Sequence, residues 1–231
     1  MNKVAFVVPL RLNELREPPF RYLENWLKTE FVDIPIYLSD SVGERFNVSE
    51  ARNRGCLRAI NDGVDILIVL DADTLPTKAS VEKAIRLAEG GQLIMSKGYV
   101  ILTETETVDI LKGEEWPTSF EAPIFQSTQG GLWVMTAEVF KRVNGWDERF
   151  IGWGYEDTSL LWTYRKIYGR KARRIKCLLL SLWHGNKDFT VESYLVNQER
   201  YLGYKSIDKK YIQALVDGNM VHLSRERQTL D

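Results

Sequence analysis

The sequence predicts an α/β fold in which helices flank a mixed, mostly parallel central sheet. Three observations point there. Ile66 to Leu70 is a run of five apolar residues, too short for a helix and ended by carboxylates, which is the pattern of a strand covered on both faces. Val4 to Val8 repeats it and ends at Pro9 and Arg11. Segments with helix start and stop signals lie between the apolar runs, the alternation that builds parallel sheets.

The composition is that of a soluble globular domain, with 44% hydrophobic and 27% charged residues in a chain of 231. Thirty-one basic residues against 32 acidic ones give a net charge of −1, which argues against a nucleic-acid partner. No apolar run reaches the ~20 residues that span a bilayer, and Met1-Asn2-Lys3 leads straight into the first strand. Neither a leader nor an integral membrane segment is expected. Two distant cysteines, Cys56 and Cys177, suit free thiols in a reducing compartment. The whole chain reads as one domain, with internal divisions near residues 102 and 190.

Pro18-Pro19 open a helix over Phe20 to Thr29, and Ile34 to Ser39 form the second strand. Asn47, followed three residues later by Glu50, starts the next helix, which ends at Asn61-Asp62-Gly63. After Ile66 to Leu70, Pro76-Thr77 begin a helix to about Glu89, and Gln92 to Leu102 read as a strand. Thr103 to Gln129 carry Glu104, Glu106, Asp109, Glu114, Glu115 and Trp116 with weak periodicity. This stretch reads either as a substrate lid bearing Trp116 or as an acidic solvated excursion. Gln129 to Met135 is a strand led by Gly130-Gly131, and Thr136 caps a helix over Ala137 to Val143. Glycines then alternate with aromatics up to Glu156-Asp157, which open a helix to Gly169. Arg173 to Leu182 is the last strand, and Thr190 to Lys205 and Asp208 to Val216 are closing helices.

The chemistry-bearing residues gather at predicted strand ends, where open α/β sheets bind ligands. Asp71 and Asp73, one residue apart, can chelate a hard divalent cation together with diphosphate oxygens, or can simply close a strand-ending turn. Arg11 reads as a phosphate or base grip, or as a surface residue. Phe46 reads as a helix staple or as a base-stacking ring. His184 lies at a strand end, where a neutral imidazole can complete a metal site. A lone histidine also occurs as an ordinary surface or core residue, and His222 has no comparable context.

Taken together these motifs resemble the A-type glycosyltransferase fold, in particular the beta-1,4-galactosyltransferases and the related bacterial chondroitin-polymerase domains. Across residues 3–190, Val8-Pro9-Leu10-Arg11 is similar to the first-strand signature whose proline and arginine touch the nucleotide. Phe46-Asn47 with Asn53 and Gly55 is similar to the uracil-binding segment, and Leu70-Asp71-Ala72-Asp73 to the metal-binding strand end. Gly130-Gly131, Met135-Thr136 and Asn144-Gly145 match the donor-side segment. Trp153-Gly154-Tyr155-Glu156-Asp157 looks like the loop in which Trp and Glu hold the sugars and Asp is the catalytic base.

The resemblance implies residues 1–102 as a nucleotide-binding half, 103–190 as a donor and acceptor half, and 191–231 as C-terminal helices and tail. It implies Asp157 and Glu156 as catalytic residues. Pro9, Arg11, Phe46, Asn53, Asp71, Gly130, Gly131 and Trp153 would contact the donor, and Asp71, Asp73 and His184 would hold Mn2+ or Mg2+. The implied reaction moves a hexose or N-acetylhexosamine from a UDP-sugar to a glycan or protein acceptor, with inversion. Val48 and Asn13 replace arginines of the family, Ser181 replaces a methionine metal ligand, and Tyr155 fills a position that is usually glycine. The polypeptide N-acetylgalactosaminyltransferases share part of the pattern and retain configuration, and Asp157, which they lack, favours inversion. A non-catalytic carbohydrate- or nucleotide-binding module is the reading from another class. No Gly-x-Gly-x-x-Gly follows the first strand, against a dehydrogenase. The expected location is cytoplasmic in a bacterial or viral setting, or else that of a soluble portion of a Golgi-type enzyme.

Overall fold

In the computed structural model, residues 2–113, 130–185 and 190–217 are described. Their strands are β1 (Val4–Pro9), β2 (Ile36–Ser39), β3 (Ile66–Leu70), β4 (Thr74–Leu75), β5 (Ile94–Ile101), β6 (Leu132–Thr136) and β7 (Arg173–Ser181). They form one mixed sheet in the order β2-β1-β3-β6-β5-β7-β4. β1 pairs in parallel with β2 and β3, and β5 with β7, whereas β6 runs against both β3 and β5 and β4 runs against β7. Five strands therefore share one direction. Their carboxyl ends, together with the start of β6, meet along one edge of the sheet.

Both faces of the sheet are covered, which explains the continuous apolar runs. Alternate side chains of a strand point to opposite faces. Phe6, Val8, Ile66, Ile68 and Leu70 pack against α1 (Glu17–Glu30) and α3 (Lys78–Ala88) through Phe20, Leu23, Leu27, Val81 and Ala84. Ala5, Val7, Leu67 and Val69 face α2 (Val48–Asn61), α5 (Ala137–Val143) and α6 (Glu156–Tyr168) through Cys56, Ala59, Phe140, Leu160 and Tyr164. Burying an aliphatic or aromatic side chain contributes about 1.5–3 kcal/mol, so these two layers fix the sheet edge rigidly.

The remaining helices flank this core. The stretch read as irregular contains α4 (Glu104–Leu111), opened by a capping box: Thr103 Oγ1 accepts from Glu106 N while Glu106 Oε2 accepts from Thr103 N. Two orphan amides are thereby satisfied, and Thr107 and Ile110 give the helix a buried face despite its acidity. Trp116, expected on a lid, lies outside the described residues, as does His222. At the other end of the chain are α7 (Val191–Ser206), a 3-10 turn (Lys209–Tyr211) and α8 (Ile212–Asp217). Tyr204, Ile212 and Val216 form a third apolar cluster with Phe150. Lys166 of α6 donates to the carbonyls of Tyr204, Lys205 and Ile207, neutralising the end of α7. Among the described residues no helix is long and apolar enough to cross a membrane.

Candidate active site

The edge where the strand ends meet opens into a cavity of about 490 Å³ whose lining includes Pro9, Phe46, Asp71, Asp73, Gly130, Trp153, Glu156, Asp157 and His184. Strand direction explains the convergence. Pro9 ends β1, Asp71 and Asp73 follow β3, Gly130 precedes the reversed β6, and His184 follows β7.

Asp73 and His184, 111 positions apart in sequence, stand with Oδ2 and Nε2 3.2 Å apart. Ser181 Oγ donates to the same Asp73 oxygen at 2.8 Å. The serine thus supports the carboxylate in a place where the resembled family carries a further ligand. Burial opposes the ionised form of Asp73, but hydrogen bonds with His184 and Ser181 outweigh it and hold the carboxyl below its ordinary range.

Asp71 is arranged differently. Its Oδ1 accepts from Arg52 at 2.8 Å and its Oδ2 from the Gly131 amide at 3.2 Å. Asp71, expected beside Asp73 at the metal, thus has both oxygens hydrogen-bonded within the protein. Among the described residues no group of three acidic, histidine or cysteine side chains gathers as a metal cluster. Gly131 has φ +81°, a conformation that side chains disfavour, and a Cβ there would meet Leu179 at 2.8 Å. A side chain at this position is therefore disfavoured.

Asp157 is presented by the first turn of α6. Its Oδ1 accepts from Arg52 Nη1 at 2.8 Å and from the Trp146 indole at 2.9 Å. A Cβ on Gly130 would stand 2.9 Å from Oδ2, so the missing side chain keeps that oxygen accessible from the cavity. Burial pushes the Asp157 carboxyl up to about 8, with Glu156 and Asp71 adding to the rise and Arg52 opposing it. Glu156, 3.9 Å from Arg52, is raised chiefly by burial as well.

The chain enters α6 through Tyr155, a non-glycine residue at φ +73°. Its ring stacks on Tyr201 at 5.0 Å, its hydroxyl lies 2.8 Å from that of Tyr194, and Gln198 donates to it at 3.0 Å. Helix α7 therefore holds the turn that delivers both acids. Trp153, 45% exposed, stacks on Tyr194 at 6.0 Å and forms the outer wall.

Two residues expected at the nucleotide stand outside the cavity lining. Asn53, expected at the nucleotide, is fully buried: it donates to the Trp146 carbonyl and to Glu148 and accepts from the Trp146 amide. It ties α2 to the segment before α6. Arg11 does not line the cavity. Its guanidinium donates to Asp40, Ser41 O and Glu44 O, shaping the loop that carries Phe46, with which it makes a cation–π contact at 5.7 Å. Arg16 lines the cavity instead, 5.8 Å from the same ring. Arg52, Arg16, Tyr99 and Tyr194 escaped the sequence reading. Arg52 is one of several arginines in a single helix, and only packing reveals that its side chain is 3% exposed.

Comparison with known proteins accords with this geometry. Residues 119–176 match the family model described as the N-terminal domain of galactosyltransferase. The Drosophila beta-1,4-galactosyltransferase 7 catalytic domain, in complex with xylobiose, superposes with a TM-score of 0.59 at 19% identity, over 90% of this chain and 82% of that one. The fold is that of the A-type glycosyltransferases.

Beta-1,4-galactosyltransferase 5 of Danio rerio is 26% identical over 99% of this chain, and the chain spans about half the length of that relative. A mutant of the Drosophila enzyme was solved with manganese, UDP-Gal and xylobiose; it gives a TM-score of 0.50 at 19% identity, over 82% of this chain and 71% of that one. GalNAc-T7 with UDP, GalNAc and Mn2+ gives 0.50 at 14% identity, over 99% of this chain and 54% of that one. The A-type resemblance read from the motifs thus extends along nearly the whole chain.

Proposed function

We propose that the chain is a metal-dependent glycosyltransferase that moves a hexose or N-acetylhexosamine from a UDP-sugar to an acceptor hydroxyl with inversion. The observation that best supports this is the Asp73–His184 pair facing the same cavity as Asp157. Two cis ligands of an octahedral ion at about 2.1 Å stand about 3.0 Å apart, close to the separation of this pair, and a carboxylate with an imidazole is a donor set suited to a divalent metal. Four cavity carboxylates, Asp71, Asp73, Glu156 and Asp157, add the negative charge that a cation balances. Mn2+, present in two of the compared structures, is the first choice and Mg2+ the second.

When bound, the ion neutralises the charge that develops on the leaving diphosphate. The chain's own residues do the rest. Asp73 and His184 hold the ion, while Asp71, tied to Arg52 and Gly131, keeps the turn after β3 in place. Pro9, Phe46 and Arg16 frame the nucleotide. Trp153 and Glu156 position the sugars. Asp157 takes the proton of the acceptor hydroxyl as its oxygen bonds to the anomeric carbon and the bond to the diphosphate breaks, releasing UDP. A carboxyl raised to about 8 is a stronger base than an ordinary aspartate and is poised near neutral pH. The free, buried Cys56 and Cys177 support a reducing compartment such as the cytoplasm.

A panel of UDP-sugars with an acceptor mixture, assayed for UDP release with and without Mn2+, tests this reading. Mn2+-dependent release that disappears in Asp73→Ala is expected. Release indifferent to the metal would defeat the chelation scheme, and no release with any sugar would favour a binding module. The likeness to GalNAc-T7 keeps a retaining, polypeptide-directed transferase as the second reading. The anomeric configuration of the product, read by NMR, separates the two.

A further inference from the structure

A second cavity, of about 500 Å³, lies along α6 beyond the active site. Thr158, next to Asp157, lines both cavities, so the two adjoin at this residue. From Thr158 the helix leads past Trp162 to Arg165, about 10 Å further along its axis at 1.5 Å per residue. Lys171, just before β7, Arg174 at its start and Met95 of β5 line it as well. Three cations therefore line this space, and among the described residues that line it none is acidic. The overall charge of −1 makes the cluster a local feature. Arg165 is held over the Trp162 ring at 5.0 Å, a contact between two lining residues that orients its guanidinium. A cavity of this size takes a small organic ligand, and an oriented guanidinium with neighbouring cations selects for carboxylate or sulfate.

We propose that this cavity is an acceptor subsite for an acidic saccharide. A carboxylated or sulfated sugar of the acceptor chain sits against Arg165 and Lys171, while another sugar of the same chain offers its hydroxyl to Asp157. The inference rests on the transferase reading and narrows its acceptor to anionic glycans.

Calorimetric titration of the full chain tests it with three oligosaccharides of equal length: one containing hexuronic acid, a sulfated one, and the carboxyl-reduced neutral counterpart of the first. At least one acidic ligand should bind about tenfold or more tightly than the neutral one, with an affinity that falls as salt is raised. The double variant Arg165→Gln, Lys171→Gln should remove that preference, and UDP binding, which uses other residues, reports whether the variant is folded. Which acidic ligand binds better distinguishes carboxylate from sulfate. Equal binding of neutral and acidic ligands, an unchanged preference in the folded variant, or inorganic sulfate competing as strongly as the acidic saccharide would overturn the subsite. Salt-sensitive acidic binding without UDP-sugar turnover would overturn the transferase reading alone.

Discussion

Replacing Arg52 by methionine is the most informative single perturbation. The guanidinium is 3% exposed and bonds two carboxylates from different elements, Asp71 after β3 and Asp157 on α6, each at 2.8 Å. Methionine keeps much of the volume and leaves both acids without their cation. Breaking a buried pair from one side costs about 3–5 kcal/mol. Asp71 is 27% exposed and regains some hydration, so the lower half of that range applies near neutral pH. Asp157 adds a pH dependence: well below 8 its carboxyl is protonated with or without Arg52, and only above that value does the wild type carry an ion pair that the variant lacks. Urea unfolding at pH 9 and pH 6 measures both effects. The variant should lose about 3 kcal/mol at pH 9 and less at pH 6. A loss under about 1 kcal/mol at pH 9, or a larger loss at pH 6 than at pH 9, would refute the view that one buried cation holds the two acids together.

Other outcomes follow from the same geometry. Asp157→Asn should bind UDP normally while turnover falls by about 10²–10⁴, and near-normal turnover would remove Asp157 from the mechanism. In the wild type the folded state retains an Asp157 proton that the unfolded chain releases, so stability is greatest at the acid end of the window and declines as pH rises from about 4 towards about 8. Denaturation midpoints across that window should fall more steeply in the wild type than in Asp157→Asn, and parallel curves would contradict the raised carboxyl. The buried Tyr204 hydroxyl donates to Asp147 Oδ2 at 2.8 Å. Tyr204→Phe should cost about 1.5 kcal/mol in chemical denaturation, the low end for a bond to a charged group because Arg149 also holds Asp147, and no measurable loss would mean that the docking of α7 does not rely on this bond.

The strands were legible because both faces of the sheet are buried: Val4 to Val8 and Ile66 to Leu70 carry no polar residue that would blur the run. The Asn47 cap was legible too, since its side chain accepts from Glu50 N as its spacing implies. Glu50 accepts instead from Val42 N, so the same spacing marked the helix while the glutamate serves the loop before it. Helix α4 was missed although Thr103 and Glu106 have capping-box spacing, because its narrow apolar face is diluted by acids. Asn53 and Arg52 are adjacent, and their fates are set by which side of α2 meets which neighbour. Asn53 turns to the Trp146 backbone and Arg52 to the cleft, a distinction of about 100° per residue that no local pattern encodes. Asp73 and His184, far apart in the chain, could be paired only because each follows a strand pointing the same way.

Tyr155 holds a backbone shape that costs a non-glycine residue about 1–3 kcal/mol, and it persists because Tyr201, Tyr194 and Gln198 grip the ring and hydroxyl. The two carboxylates at the head of α6 are thus loaded like a catch whose latch is another helix. Loosening α7 anywhere along that aromatic contact frees the hinge, and Glu156 and Asp157 move with it although no atom near them has been altered.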